Sequence, residues 1–290
     1  MLLRLDGRTV SIRTKGTRWD DGRPVLLCIH GAGGNGTHWL GQLRGLSADF
    51  HLLLVDLPGH GKSEGPGKVS VAGYRDWLRE VLLLLAPRVD PDRIILVGHS
   101  LGGAIAMDYV LHGYPAAGLV LISTGARMRV SKRILDVLAD GDSEAWAQAA
   151  VGLMFGIHAS QSLRDLSRKE LAATPLPLYR TDFQAADAWD AMDRVGDIAI
   201  PTQVISGTND MMTPPKYARY LSDTIPGSRL RMLEAAGHMP MLEDAEAVNE
   251  TLRQFVNTLA DSNMETEFPA EPGHERPFIP HRSVFEGDPK

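Results

Sequence analysis

A single cysteine, Cys28, stands in a chain of 290 residues. That excludes an intrachain disulfide, and it excludes a cysteine-based zinc site or iron–sulfur cluster built within one chain. Cys28 lies inside the apolar run Val25-Leu26-Leu27-Cys28-Ile29, where it reads as a small buried hydrophobe rather than a reactive thiol. No apolar run approaches the roughly 20 residues that span a bilayer. The opening residues Met1 to Gly7 lack the apolar stretch of a signal peptide, so a soluble, cytoplasmic protein with no membrane partner is expected. Positive charge is also short: the formal net charge is −6 and the basic residues are scattered without a stripe. Nothing in that balance attracts nucleic acid. H-x-x-E-H and similar ligand patterns are missing, so the residues imply no metal and no cofactor.

What is present fits one large α/β domain with an insertion, or two smaller domains. Asp6-Gly7-Arg8 is a turn between short alternating segments, Leu3 to Leu5 and Thr9 to Arg13, and predicts an antiparallel hairpin. Short strands are then predicted at Val25 to Ile29, Leu52 to Val55, Ile94 to Val97, Leu119 to Ile122, Val204-Ile205 and Leu230 to Leu233. Most are apolar without interruption, as a sheet covered on both faces requires. Helices are predicted over Val71 to Ala86, Gly103 to Leu111 and Ala245 to Leu259, the first ended by Pro87. Alternation of this kind predicts a mostly parallel central sheet with right-handed crossovers and helices on both faces. Ligands bind such sheets at the carboxyl ends of the strands.

The alternation breaks between Arg127 and Gly196, where only helix-like pieces occur. The expected division is therefore a core of residues 1–126 and 197–260, with a helical cap at 127–196 over the site. The cap's Met and aromatic residues are expected to form its own core. From Asp261 to Lys290 the chain is rich in Pro, Glu and Gly, a composition that resists regular structure.

Gly98-His99-Ser100-Leu101-Gly102 is a G-x-S-x-G run between a predicted strand and a predicted helix. A serine at so sharp a turn sits in a strained backbone that presents its hydroxyl, with glycines two before and two after admitting neighbouring chain. A serine hydroxyl attacks well only if a base takes its proton and a third group orients that base. Asp210 follows the strand at Val204-Ile205, and His238 follows the strand ending at Leu233. All three side chains thus fall just past the carboxyl ends of strands, in the order Ser, Asp, His.

With these residues the chain resembles the α/β-hydrolase superfamily, in its capped esterase, lipase and carbon–carbon hydrolase branch, over about Arg4 to Leu259. His30-Gly31-Ala32-Gly33-Gly34 resembles that family's oxyanion loop, and Asp56-Leu57-Pro58-Gly59-His60-Gly61-Lys62-Ser63 its D-x-P-G-x-G-x-S turn. The resemblance implies a serine hydrolase acting on carboxylic esters through an acyl-enzyme, with Ser100, Asp210 and His238 catalytic. It further implies that the Ala32 and Leu101 N–H groups hold the oxyanion, with Gly33 beside them. His30 and His99 are expected to orient loops, and His60 and Ser63 to support the oxyanion loop. Trp39 and Met239 are expected pocket walls, and a small hydrophobic ester the partner. Relatives that use an alkyl-enzyme carry Asp where this chain has Ser100. Carbon–carbon hydrolysis and cofactor-free perhydrolysis use similar residues and remain open alternatives.

A rival of another class is a dinucleotide-binding fold. Gly31, Gly33 and Gly36 satisfy G-x-G-x-x-G after a strand, and Asp56 follows about twenty residues later. Gly61-Lys62-Ser63 has the end of a phosphate loop, but Asp56 occupies the earlier glycine position.

Overall fold

A computed structural model describes residues 1–266 except 17, 18 and 20. The hairpin forms as β1 (Leu2–Leu5) and β2 (Arg8–Arg13), followed by β3 (Val25–Ile29), α1 (Leu40–Leu46), β4 (His51–Val55) and α2 (Val71–Leu85). Next come β5 (Ile94–His99), α3 (Leu101–Leu111) and β6 (Gly118–Ile122). Four helices then intervene: α4 (Lys132–Asp140), α5 (Ser143–Met154), α6 (Gln161–Ala173) and α7 (Leu176–Asp187). The alternation resumes with β7 (Thr202–Gly207), α8 (Pro215–Thr224), β8 (Arg229–Leu233), α9 (Pro240–Glu243) and α10 (Ala245–Thr266).

The strands make one eight-stranded sheet in the order β1-β2-β4-β3-β5-β6-β7-β8. β1 and β2 are antiparallel to their neighbours, and every pairing from β4 through β8 is parallel. Strands β3 to β7 are buried along their whole length, which is why their sequences are apolar rather than alternating. Val25, Leu27 and Ile29 enter the core packed under α2 and α3, whereas Leu26 and Cys28 enter the one shared with α1 and α10. Helix α3 is buried from Leu101 to Tyr109. That explains why its sequence carries no amphipathic stripe.

Register places the site. Ile29 pairs with Gly98, His99 with Ile122 and Gly207 with Leu233, so the loops after β3, β5, β7 and β8 leave the sheet at one edge. Helices α4, α5 and α6 begin where Ser131, Asp142 and Ser160 accept backbone N–H groups of their first turns. Trp146, Tyr179 and Phe183 pack with ring centroids 5.1, 5.5 and 6.5 Å apart, and all three join the core layer that lies under α1 and α10.

Three expectations are corrected. The last predicted helix does not stop at Leu259 but continues to Thr266, so residues 261–266 are helical; the rest of the expected tail lies outside the described residues. Helices α1 and α8 form where no helix is predicted. The helix-like pieces expected between Arg127 and Gly196 end with α7 at Asp187, after which Arg127 and Asp190 form an isolated bridge. Among the described residues no helix is long and apolar enough to cross a membrane.

Candidate active site

Ser100 stands between β5 and α3 with φ 51° and ψ −118°, a conformation that an L-residue adopts only under constraint. Its N–H donates to the Ile122 carbonyl at 2.9 Å, tying the turn to β6. A side chain on Gly98 would come within 2.4 Å of the Gly102 carbonyl oxygen, and one on Gly102 within 2.3 Å of the Ile29 oxygen. The glycines flanking the serine are thus required by close packing of α3 on β3 and β5.

Asp210 and His238 meet. His238 Nδ1 lies 3.0 and 3.1 Å from the two Asp210 carboxylate oxygens, and both residues are buried. Asp210 also accepts the Thr213 hydroxyl at 2.8 Å and the backbone N–H groups of Met212 and Thr213 at 2.9 and 2.8 Å. Burial alone pushes the Asp210 carboxyl up, but His238 and these donors outweigh it and hold the group below its ordinary value. Asp210 therefore stays an acceptor, which fixes the proton of His238 on Nδ1 and leaves Nε2 as the basic nitrogen. Ser100 and His238 line the same cavities, although no hydrogen bond joins the two side chains.

The His238 loop is held from three sides. The His238 N–H donates to Met154 at the end of α5 at 2.7 Å. His99 donates Nε2–H to the His238 carbonyl at 2.9 Å, with the rings 4.8 Å apart. Glu243 accepts the N–H groups of Gly237, Met239 and Gly156, clasping both flanks of His238 to the loop after α5. Burial holds the His99 imidazole well below its ordinary pKa, so it serves as a neutral support.

Beside Ser100, neither the Ala32 N–H nor the Leu101 N–H has a hydrogen-bond acceptor among the described residues. Ala32 is carried by a braced loop. His30 donates Nδ1–H to the Gly31 carbonyl at 2.8 Å and accepts the Leu57 N–H on Nε2 at 3.0 Å; burial keeps this ring neutral too. Asp182, fully buried on α7, accepts the Gly33 N–H at 2.7 Å, His60 Nε2–H at 2.8 Å and the Tyr74 hydroxyl at 2.5 Å. Ser63 donates to the Asp56 carbonyl at 2.6 Å and accepts the Ser11 N–H at 2.9 Å.

Two expectations about the pocket are revised here. Gly33 lines the cavity, but Asp182 takes its N–H, so it is no oxyanion donor. Trp39 lines neither cavity at Ser100: it is fully buried in the core layer beneath the sheet, because the short turn into α1 points it inward. Three residues that sequence reasoning missed are Thr213, Asp182 and Glu243. Thr213 follows Asp210 by three residues, the spacing of a side chain that turns back on a carboxylate; Asp182 acts across distant elements and leaves no local pattern, and Glu243 bonds Gly237 and Met239 nearby but also Gly156, 87 positions away.

Two cavities open on Ser100. The first, about 630 Å³, is walled by Trp146, Met154, Phe183 and Met239 among others. The second, about 870 Å³, includes Leu101, Met128, Ile134, Leu153 and Tyr217. Trp146, Tyr179 and Phe183 of the four-helix insertion thus serve twice, in a buried cluster and as cavity wall. Among the described residues no group of His, Cys, Asp or Glu is placed to hold a metal ion.

A family model described as the alpha/beta hydrolase family matches residues 26–251. The chain belongs to the α/β-hydrolase family. It is 30% identical over 283 residues to an uncharacterised protein of Mycobacterium tuberculosis, covering 88% of this chain and 81% of that one. A solved thermophilic esterase is 30% identical, with TM-score 0.77 over 89% of this chain and 97% of its own. A hydrolase from Pseudomonas aeruginosa is 26% identical, with TM-score 0.77 over 88% and 97%. The α/β-hydrolase fold excludes the dinucleotide reading, and the structure shows why its motif misleads. Asp56, the residue that would bind a ribose, spends its two carboxylate oxygens on the N–H groups of Gly36 and Lys62 at 2.7 and 3.1 Å.

Proposed function

We propose that this hydrolase cleaves carboxylic esters of small, largely apolar acids or alcohols through an acyl-enzyme on Ser100. The observation that carries the reading is His238, bonded to Asp210, on the wall of cavities shared with the strained Ser100. His238 Nε2 takes the hydroxyl proton as Ser100 Oγ attacks the ester carbonyl. The carbonyl oxygen gains negative charge in the tetrahedral intermediate, next to the unbonded N–H groups of Ala32 and Leu101. Each such donor is worth about 3–4 kcal/mol in the transition state. His238 then protonates the leaving alcohol, and Asp210 stabilises the imidazolium while it exists. Water enters, His238 deprotonates it, and the acid leaves as Ser100 is restored. The test is hydrolysis of a p-nitrophenyl ester by the Ser100→Ala protein. The expected loss in kcat is on the order of 10⁶, and a rate equal to the unaltered chain would sink the reading.

A further inference from the structure

The first cavity is apolar along most of its wall, and away from Ser100, His99 and His238 its polar lining residues are Ser167, Glu170 and His38. Ser167 and Glu170 are three residues apart on α6 and so share a face, whereas His38 comes from the segment between β3 and α1. Ser167 is 8% exposed; it lines the cavity, and its hydroxyl has no hydrogen-bond partner among the described residues. Glu170 is half spoken for. Its Oε1 accepts Asn35 Nδ2 at 2.7 Å and the Thr37 hydroxyl at 3.3 Å, which fixes the carboxylate in place. Its Oε2 has only His38 Nε2 nearby, at 3.8 Å, too far for a hydrogen bond. Burial holds the His38 ring below its ordinary pKa, so it does not cancel the carboxylate's charge. No Lys or Arg lines this cavity.

A fixed carboxylate oxygen and a free hydroxyl on the wall of a largely apolar cavity form a site that accepts hydrogen bonds. An alkyl end group placed there forgoes the hydrogen bonds that a donor would make, although the Glu170 side chain, 37% exposed, keeps part of its hydration. Resting on the ester-hydrolase reading, we propose that the arm of the substrate entering this cavity carries a distal hydrogen-bond donor, a hydroxyl or an ammonium group, received by Glu170 and Ser167. The apolar wall of Trp146, Met154, Phe183 and Met239 then covers the carbon chain between that donor and the scissile carbonyl at Ser100.

The test compares kcat/KM for naphthyl alkanoates, from butanoate to octanoate, with their terminal hydroxy and amino analogues. It is repeated with the donor on the alcohol arm. At the chain length that reaches Glu170, on one of the two arms, the donor-bearing ester is expected to be preferred by about three- to tenfold, the worth of one hydrogen bond to a partly solvated charged group. Glu170→Ala removes the preference for both donors and Ser167→Ala weakens that for the hydroxyl. If Glu170→Ala fails to fold, Ser167→Ala carries the comparison. Equal kcat/KM at every length on both arms, or a preference that survives these substitutions, overturns the proposal. A chain that hydrolyses no ester overturns the ester reading instead. Alkanediols and amino alcohols are then competed against alkanols in saturation-transfer NMR, where the donors must still bind better and lose that advantage in the variants; equal binding overturns the donor site.

Discussion

Asp210 is the most heavily bonded side chain of the site, with Thr213, two backbone N–H groups and His238 all directed at one carboxylate. Asp210→Asn keeps the volume but presents an amide N–H to His238 Nδ1, favouring the wrong tautomer. A loss of about 10⁴ in kcat with little change in folding is expected, checked by ester kinetics beside a urea titration; unaltered kcat would remove Asp210 from the mechanism. Single residues differ in how far they are legible. Ser100, Asp210 and His238 are readable because each is tied to a strand end, and strand ends are what the apolar runs mark. Asp182 is not, because the N–H it accepts belongs to Gly33, 149 positions earlier in the chain. Trp39 misleads for the opposite reason: it neighbours a site loop in sequence and points away from it in space.

Among the elements, α7 joins the four-helix insertion to the loops around Ser100. Through Asp182 it grips the loop after β3 at Gly33, the turn at His60 and helix α2 at Tyr74. Asp182→Asn leaves at least one of these buried donors without a charged acceptor. The expected cost is about 1–3 kcal/mol in stability, measured by urea unfolding. Because Ala32 precedes Gly33, the freed loop also misplaces one N–H at the oxyanion, and kcat is expected to fall by about 10²-fold with a smaller change in KM. Unchanged kcat in a folded Asp182→Asn protein would reduce Asp182 to a purely structural contact. Amphipathic α2 and the continuous apolar strands were legible from period and composition. Helix α1 was not, being only seven residues long, too short to show a period.

At the scale of the whole molecule, the buried histidines couple folding to pH. His30 and His99 are held well below their ordinary pKa, chiefly by burial, so the folded chain keeps them neutral while the unfolded chain protonates them below about pH 6.5. The unfolded state then binds more protons, and stability present above that pH is lost as pH falls through the window below it. The slope is up to about 1.4 kcal/mol per pH unit for each group. Urea unfolding between neutral and mildly acidic pH is expected to show this decline, with a shallower slope in His30→Asn; a pH-independent midpoint would contradict it. The parallel sheet was legible because alternating apolar runs and helices admit few other folds, but the strand order was not, since pairing partners far apart in sequence leave no mark on either strand. The central claim is that Ser100 is an activated nucleophile, and a fluorophosphonate probe with mass mapping of the modified peptide measures that directly. One adduct, on Ser100, is predicted for the unaltered chain, with labelling slowed by orders of magnitude in His238→Ala. An unlabelled Ser100, or equal labelling in the His238→Ala protein, would contradict the account.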